Sequence, residues 1–166
     1  MVEVSQLEGL PIFAGMDRGA LQDIAKIASM QTYRATEHIF TEGQPAKNFY
    51  ILLSGRVSLE RDLPHSWLNA EGISKAVIDN LGDHAVFGWS AVLEPGVLTA
   101  SAHCQNDTEV IEINGKELMR ILDAAKNRDA GYVFLKRLAE AVAIRFSKMA
   151  ERLTREIKEL ETYRST

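Results

Sequence analysis

An α+β protein is predicted by three changes of pattern along the chain. Apolar residues recur at helical spacing before about residue 30, short β-rich runs dominate from Gln31 to Ile113, and helical spacing returns after Asn114. The middle runs are separated by Gly, Pro, Asn and Asp clusters at intervals of about ten to fifteen residues, which suggests a β sandwich or barrel. The chain divides accordingly into an N-terminal helical segment (1–30), a β core (31–114) and C-terminal helices (115–166). With 166 residues it fits one domain of ordinary size with a real core.

The first helix is marked by Asp17 as N-cap and by Leu21, Ile24, Ile27 and Ala28 at three- and four-residue steps. The strands are read in "HIFTEG", "NFYILLSGRVSLER", "SKAVIDNLG", "VLTASAHC" and "EVIEIN". Two of them flank Ser54-Gly55, which reads as a hairpin turn because glycine accepts a positive φ. "RDLPHSWLNAEGISK" is too polar and irregular for a strand and reads as a long hairpin loop that Trp67 packs down. Asn114 caps a short helix, "GKELMRILDAA", with Glu117 placed to complete a capping box.

One long helix is expected over about 129–163. Its apolar positions Leu135, Leu138, Val142, Phe146, Met149, Leu153, Ile157 and Leu160 step by 3, 4, 4, 3, 4, 4 and 3. The Leu135–Phe146 half is expected to lie on the β core. Phe146, Met149, Leu153, Ile157 and Leu160 form a stripe that continues past any small domain, so they are expected to pair with a second copy as a homodimer.

Composition narrows the function. Hydrophobic residues make up 46% and charged residues 25%, ordinary values for a soluble globular protein. No apolar run approaches the roughly 18–20 residues that span a membrane, and Met1-Val2-Glu3-Val4 lacks the basic start of a secretory signal. A lone cysteine, Cys104, excludes an internal disulfide and any multi-cysteine metal site, and reads as a small buried apolar residue. A cytoplasmic location is expected. Residues 1–125 carry 9 basic and 17 acidic residues (net −8), whereas 126–166 carry 10 and 6 (net +4). The acidic body argues against broad nucleic-acid contact. In the tail, pairs such as Arg152 with Glu156 and Arg155 with Glu159 mark a solvated helix face.

The stretch "VFGWSAVLEPGVLTASAH", residues 86–103, has the outline of a phosphate-gripping loop yet contains no Lys or Arg. Together with "IFTEGQPAKNFYILLSGRVSL", "GDHAVFGWSAVL", a Thr-containing strand and a long final helix, it resembles the cyclic-nucleotide-binding domain of the catabolite-activator and protein-kinase-A regulatory-subunit superfamily. Gly43, Gly55, Gly82, Gly88 and the "FG" pair carry the resemblance, which spans about residues 7–160. It implies an eight-stranded β jelly roll flanked by helices, with the last helix as dimer interface and ligand lid. Transcription-factor members add a helix-turn-helix domain; this chain ends at Thr166, so none is expected.

The resemblance assigns the cassette to Phe87, Gly88, Trp89, Ser90, Ala91, Gly96, Val97 and Thr99. In nucleotide-binding members, N–H groups at a short helix start hold the cyclic phosphate, a glutamate takes the ribose hydroxyl and an arginine neutralises the phosphate. Here Gly88, Ser90 and Ala91 keep the helix start and Thr99 matches the family Thr or Ser. Trp89 stands at the glutamate position and Gly96 at the arginine position, with Val97 beside it no substitute. Losing both contacts costs roughly 3–5 kcal/mol at about 1.5–3 each. Cyclic AMP and cyclic GMP are therefore expected to bind weakly, not at all, or to be replaced by another small ligand; Arg137 or Arg145 could enter from the lid side.

The sequence thus predicts a non-catalytic sensor module that acts through a protein partner, without sequence-specific DNA binding of its own. The alternative is a ligand-free dimerising scaffold. A cupin-type metal enzyme is the least supported reading, since "GDH" at Gly82-Asp83-His84 is its only cue. His38, His65, His84 and His103 are isolated in sequence and no His-x-His pair exists. Neither catalytic residues nor metal ligands are expected.

Overall fold

The computed structural model describes residues 2–63 and 74–164, so the Trp67 loop reading lies outside the described residues. Helix α1 (Val4–Glu8) and a 3₁₀ turn (Pro11–Phe13) lead to α2 (Arg18–Ile27), whose first turn is capped by the Asp17 carboxylate accepting from Ala20 N–H at 3.0 Å. Strand β1 (Ala28–Tyr33) follows directly. The remaining strands are β2 (His38–Phe40), β3 (Asn48–Ser54), β4 (Val57–Asp62), β5 (Lys75–Leu81), β6 (Val86–Phe87), β7 (Ser101–Cys104) and β8 (Thr108–Asn114). They form two antiparallel four-stranded sheets, ordered β1-β8-β3-β6 and β2-β7-β4-β5. This is the jelly roll.

The two faces of the first sheet explain its sequence. In β3, Phe49 and Ile51 point at the helices while Tyr50 and Leu52 point between the sheets, so the run "FYIL" is buried on both sides. Strand β8 behaves alike, with Ile111 and Ile113 toward the helices and Val110 toward the second sheet. Cys104 is fully buried between the sheets, as the composition suggested.

The Ser54-Gly55 turn departs from the sequence reading. It joins β3 to β4, but β3 pairs with β6 and β8, whereas β4 pairs with β5 and β7. The turn is a corner between sheets, not a hairpin. Its geometry depends on the neighbouring β7–β8 corner: Arg56 N–H donates to the Asn106 side chain at 2.7 Å, and Gln105 N–H donates to the Arg56 carbonyl at 2.9 Å. Gly55 sits at φ 100°, and a Cβ there would lie 2.6 Å from the Asp107 carbonyl oxygen.

Past β8, α3 (Gly115–Leu122) starts at Asn114, whose side chain accepts from Glu117 N–H at 3.1 Å. Only this half of the expected capping box forms. Helix α4 then runs from Arg128 to Arg164. Ala130, Phe134 and Leu138 bury one face against the core, with the Phe134 ring 5.6 Å from Phe49 and 6.4 Å from Phe13. Of the half expected on the β core, Leu138 is buried and Val142 packs against that core, whereas Leu135 (46%) and Phe146 (72%), the latter also named in the pairing stripe, are exposed. At 3.6 residues per turn they lie about 100° round the helix from Phe134, on the stripe of Met149, Leu153, Ile157 and Leu160.

Gly55→Ala should destabilise the protein by about 2–4 kcal/mol, through strained φ and a clash with backbone that cannot move aside. Denaturant unfolding checks this; a midpoint within error of wild type would contradict the corner geometry.

Candidate functional site

Strand β6 ends at Phe87, which is fully buried, stacks on Tyr50 (5.1 Å) and lies tilted against Phe40 (5.9 Å). Gly88 then takes φ 68° and caps a single 3₁₀ turn, Trp89–Ala91. A Cβ on Gly88 would sit 2.7 Å from the Tyr50 ring and 2.9 Å from the Asn48 carbonyl oxygen, so the chain can turn here only as glycine. The Ala91 and Val92 N–H groups donate back to Gly88 and Trp89 carbonyls at 3.0 Å, closing the turn. The cassette's far end is zipped to the β2–β3 loop, where Ala46 N–H donates to Gly96 at 2.8 Å and Leu98 N–H to Gln44 at 2.9 Å. Gly96 has φ 72°, Val97 bridges Pro45, and Thr99 is exposed in the bend before β7.

The lid-side cation is Arg145. Its Nε lies 2.8 Å from Asp79 Oδ2, its Nη2 donates to the Val86 carbonyl at 2.9 Å, and its guanidinium carbon sits 4.3 Å from the Trp89 ring centroid. The side chain is only 14% exposed. Burial lowers its pKa from the usual arginine value, while the Asp79 carboxylate opposes the shift. Arg137 does not enter; it holds Glu140 at 2.9 Å and the Ala14 carbonyl at 3.3 Å. One turn-pair further along the same helix face, Arg152 donates to the Val77 carbonyl at 3.2 Å. Arg145 is thus already neutralised by a carboxylate, bonded to a carbonyl and stacked on Trp89.

The space under the cassette is narrowed by aromatic rings. Phe40, Tyr50 and Phe87 have mutual centroid distances of 5.1–5.9 Å, leaving a cavity of about 290 Å³ bordered by Phe40, Asn48, Tyr50 and Leu98. That is at the lower end of ligand pockets, roughly 300–1,000 Å³. Asn48 also hydrogen-bonds Glu112, whose pKa is raised by burial, against the hydrogen bonds of Tyr33 and Asn48. Burial, and then the Glu112 charge, push the Tyr50 hydroxyl up to about 12. Lys47 also borders this cavity, so the strand end carries both an acidic and a basic group.

Sequence reasoning placed the cassette residues but missed Asp79, which looks like any polar position of a strand until α4 is laid beside it. It also treated the histidines as isolated. The β2–β7 register sets His38 opposite His103, with ring centroids 4.8 Å apart and Glu60 3.3 Å from His103 Nδ1. Among the described residues no group of three His, Cys, Asp or Glu is arranged to hold a metal ion.

A two-sheet jelly roll with a glycine-capped 3₁₀ turn under a long helix defines a cyclic-nucleotide-binding fold. The model of the cyclic nucleotide-binding domain matches residues 30–125, and the chain belongs to that family. The CRP-like cAMP-activated global transcriptional regulator of Mycobacterium tuberculosis is 24% identical over 103 residues, 62% of this chain and 43% of that protein. The chain thus aligns with less than half the length of that curated relative. A protein of Geobacter metallireducens GS-15, assigned to cyclic-nucleotide binding, superposes with TM-score 0.73 at 27% identity, covering 88% of this chain and 99% of that one. The c-di-GMP-responsive global regulator CLP of Xanthomonas campestris shares the fold at TM-score 0.62 and 20% identity, over 87% and 65%.

The Arg145–Asp79 pair should show a coupling of about 1–3 kcal/mol in a double-mutant cycle of Arg145→Met and Asp79→Asn. Unfolding free energies of the four proteins measure it. Strict additivity would mean the pair is not formed in solution.

Proposed function

We propose that this chain is a non-catalytic regulatory module whose cassette does not hold cyclic AMP or cyclic GMP in the family manner. The observation that carries this is the Arg145–Trp89–Asp79 cluster. Trp89 fills the place of the ribose-binding acid, and the one buried arginine beside it is committed to Asp79 and Val86. With Gly96 at the arginine position, the cassette itself offers a cyclic phosphate at the 3₁₀ turn no cation, and the neighbouring Arg145 is already engaged by Asp79. A buried anion without a positive partner costs several kcal/mol. The output of the module is α4, whose position on β5 and β6 depends on Arg145 and Arg152.

A second reading, a ligand-free scaffold, is favoured by the aromatic filling of the cavity. Ligands other than cyclic mononucleotides distinguish the two, and the c-di-GMP response of the Xanthomonas relative makes cyclic dinucleotides the natural panel. Melting temperature rises with any ligand that favours the native state. We place the protein in the cytoplasm, with a protein partner and no sequence-specific DNA contact through these residues. No described helix is long and apolar enough to cross a membrane.

Calorimetry should give no dissociation constant below about 10 μM for cyclic AMP or cyclic GMP, since a loss of roughly 3–5 kcal/mol is a factor of about 100 to several thousand. Trp89→Glu with Gly96→Arg should restore affinity. Tight binding by the unchanged protein would overturn the reading.

The exposed stripe of Phe146, Met149, Leu153, Ile157 and Leu160 should pair with the same stripe of a second copy about a two-fold axis. Leu153→Glu with Ile157→Glu buries four carboxylates per dimer, costing several kcal/mol, and should give monomers in sedimentation. A wild type that is already monomeric at tens of micromolar would refute the pairing.

A further inference from the structure

The charge of the body is distributed unevenly. Residues 1–125 hold nine Lys and Arg, of which Arg18, Lys26, Arg61 and Lys75 lie within ion-pair distance of a carboxylate. Of the five with no such partner among the described residues, Lys47, Lys116 and Arg120 line a single groove. In a region with net charge −8, leaving three exposed cations together uncompensated is unfavourable by itself and gains from an acidic partner.

The groove, of about 1120 Å³, runs between the cassette loop Ser90–Gly96 and α3, with Pro45–Lys47 at one end. It is firmly built. Gly115 N–H donates to the Lys47 carbonyl at 2.9 Å, and a Cβ on Gly115 would lie 2.2 Å from the Ala91 carbonyl oxygen, so cassette and α3 meet backbone to backbone. Apolar surface accompanies the charge: Val92 and Met119 are part-buried and Leu93 is 45% exposed. The carboxylates of Glu94 and Asp123 stand in the same lining.

We propose that this groove docks an acidic segment of a partner protein anchored by an apolar side chain. Leu93 and Met119 offer contact that a bare phosphate cannot use. Glu94 and Asp123, on an acidic body, work against the dense charge of nucleic acid. A peptide that alternates carboxylates with an apolar residue satisfies both sets of groups. Docking there would brace the cassette against α3. From α3 the contact passes to α4 at Gly131, where a Cβ would come within 2.9 Å of the Leu122 carbonyl oxygen. The groove is separate from the Arg145 cluster, and the proposal stands whether or not a nucleotide binds.

The test is fluorescence anisotropy of the full chain with a labelled twelve-residue peptide, Asp-Glu-Leu repeated four times. Binding below about 1 mM is expected, weakening about tenfold in the Lys116→Glu/Arg120→Glu variant and several-fold in Leu93→Ala. An Asn-Gln-Leu peptide of equal length should not bind. Raising salt from 50 to 300 mM should weaken binding to the unmodified chain, a readout independent of variant folding. Equal affinity of wild type and charge variant, or no binding below about 1 mM, overturns the proposal. So does tripolyphosphate or duplex DNA binding through these residues while the peptide does not. Calorimetry with cyclic nucleotides on the same variant separates this outcome from the fate of the cassette reading, because neither Lys116 nor Arg120 belongs to the Arg145–Asp79–Trp89 cluster.

Discussion

The guanidinium of Arg145 is the interaction on which the arrangement of this protein turns. It joins three elements that share no backbone hydrogen bonds: Asp79 of β5, the Val86 carbonyl of β6 and the Trp89 ring of the 3₁₀ turn, all from α4. Burying a guanidinium is costly unless its charge and donors are satisfied. Here a carboxylate, a carbonyl and an aromatic face satisfy it, and the alternatives are a displaced helix or a stranded charge. Anything that draws Arg145 from Asp79, or Trp89 from under it, loosens α4 where it leaves the core.

The face of α4 that carries this contact changes chemistry along its length. Ala130, Phe134 and Leu138 pack into the apolar core, and the same face then presents Arg145 and Arg152 to β5 and β6. Strand β5 is the edge of its sheet, so Val77 has a carbonyl to offer. The helix is first held by apolar burial and then by polar clamps. A quarter-turn away, the exposed apolar stripe is left to another surface. One helix therefore divides its circumference between a core face, polar clamps and an exposed apolar stripe.

The cassette shows how a family framework persists while its chemistry changes. Gly88 is required by the Tyr50 ring and the Asn48 carbonyl, and Gly115 by the Ala91 carbonyl, whatever ligand the site takes. These are backbone constraints of the fold. Trp89 is under no such constraint: its ring lies beneath the Arg145 guanidinium.

The sequence by itself determined the fold class, the order of elements, the cap at Asp17, and that residues 86–103 hold no Lys or Arg. These follow from local periodicity, turn chemistry and residue identity, which need no neighbours. It did not determine which strands share a sheet, because a Gly-containing turn between apolar runs reads the same in a hairpin and in a corner between sheets. Nor could it choose between Arg137 and Arg145, or pair Asp79 with α4, or bring His38 beside His103. It also assigned Leu135 to the β core, because a heptad-like seam and the docked face lie only about 100° apart on one helix. Long-range packing decided each of these, since contacts between residues sixty or more apart depend on sheet register and helix rotation.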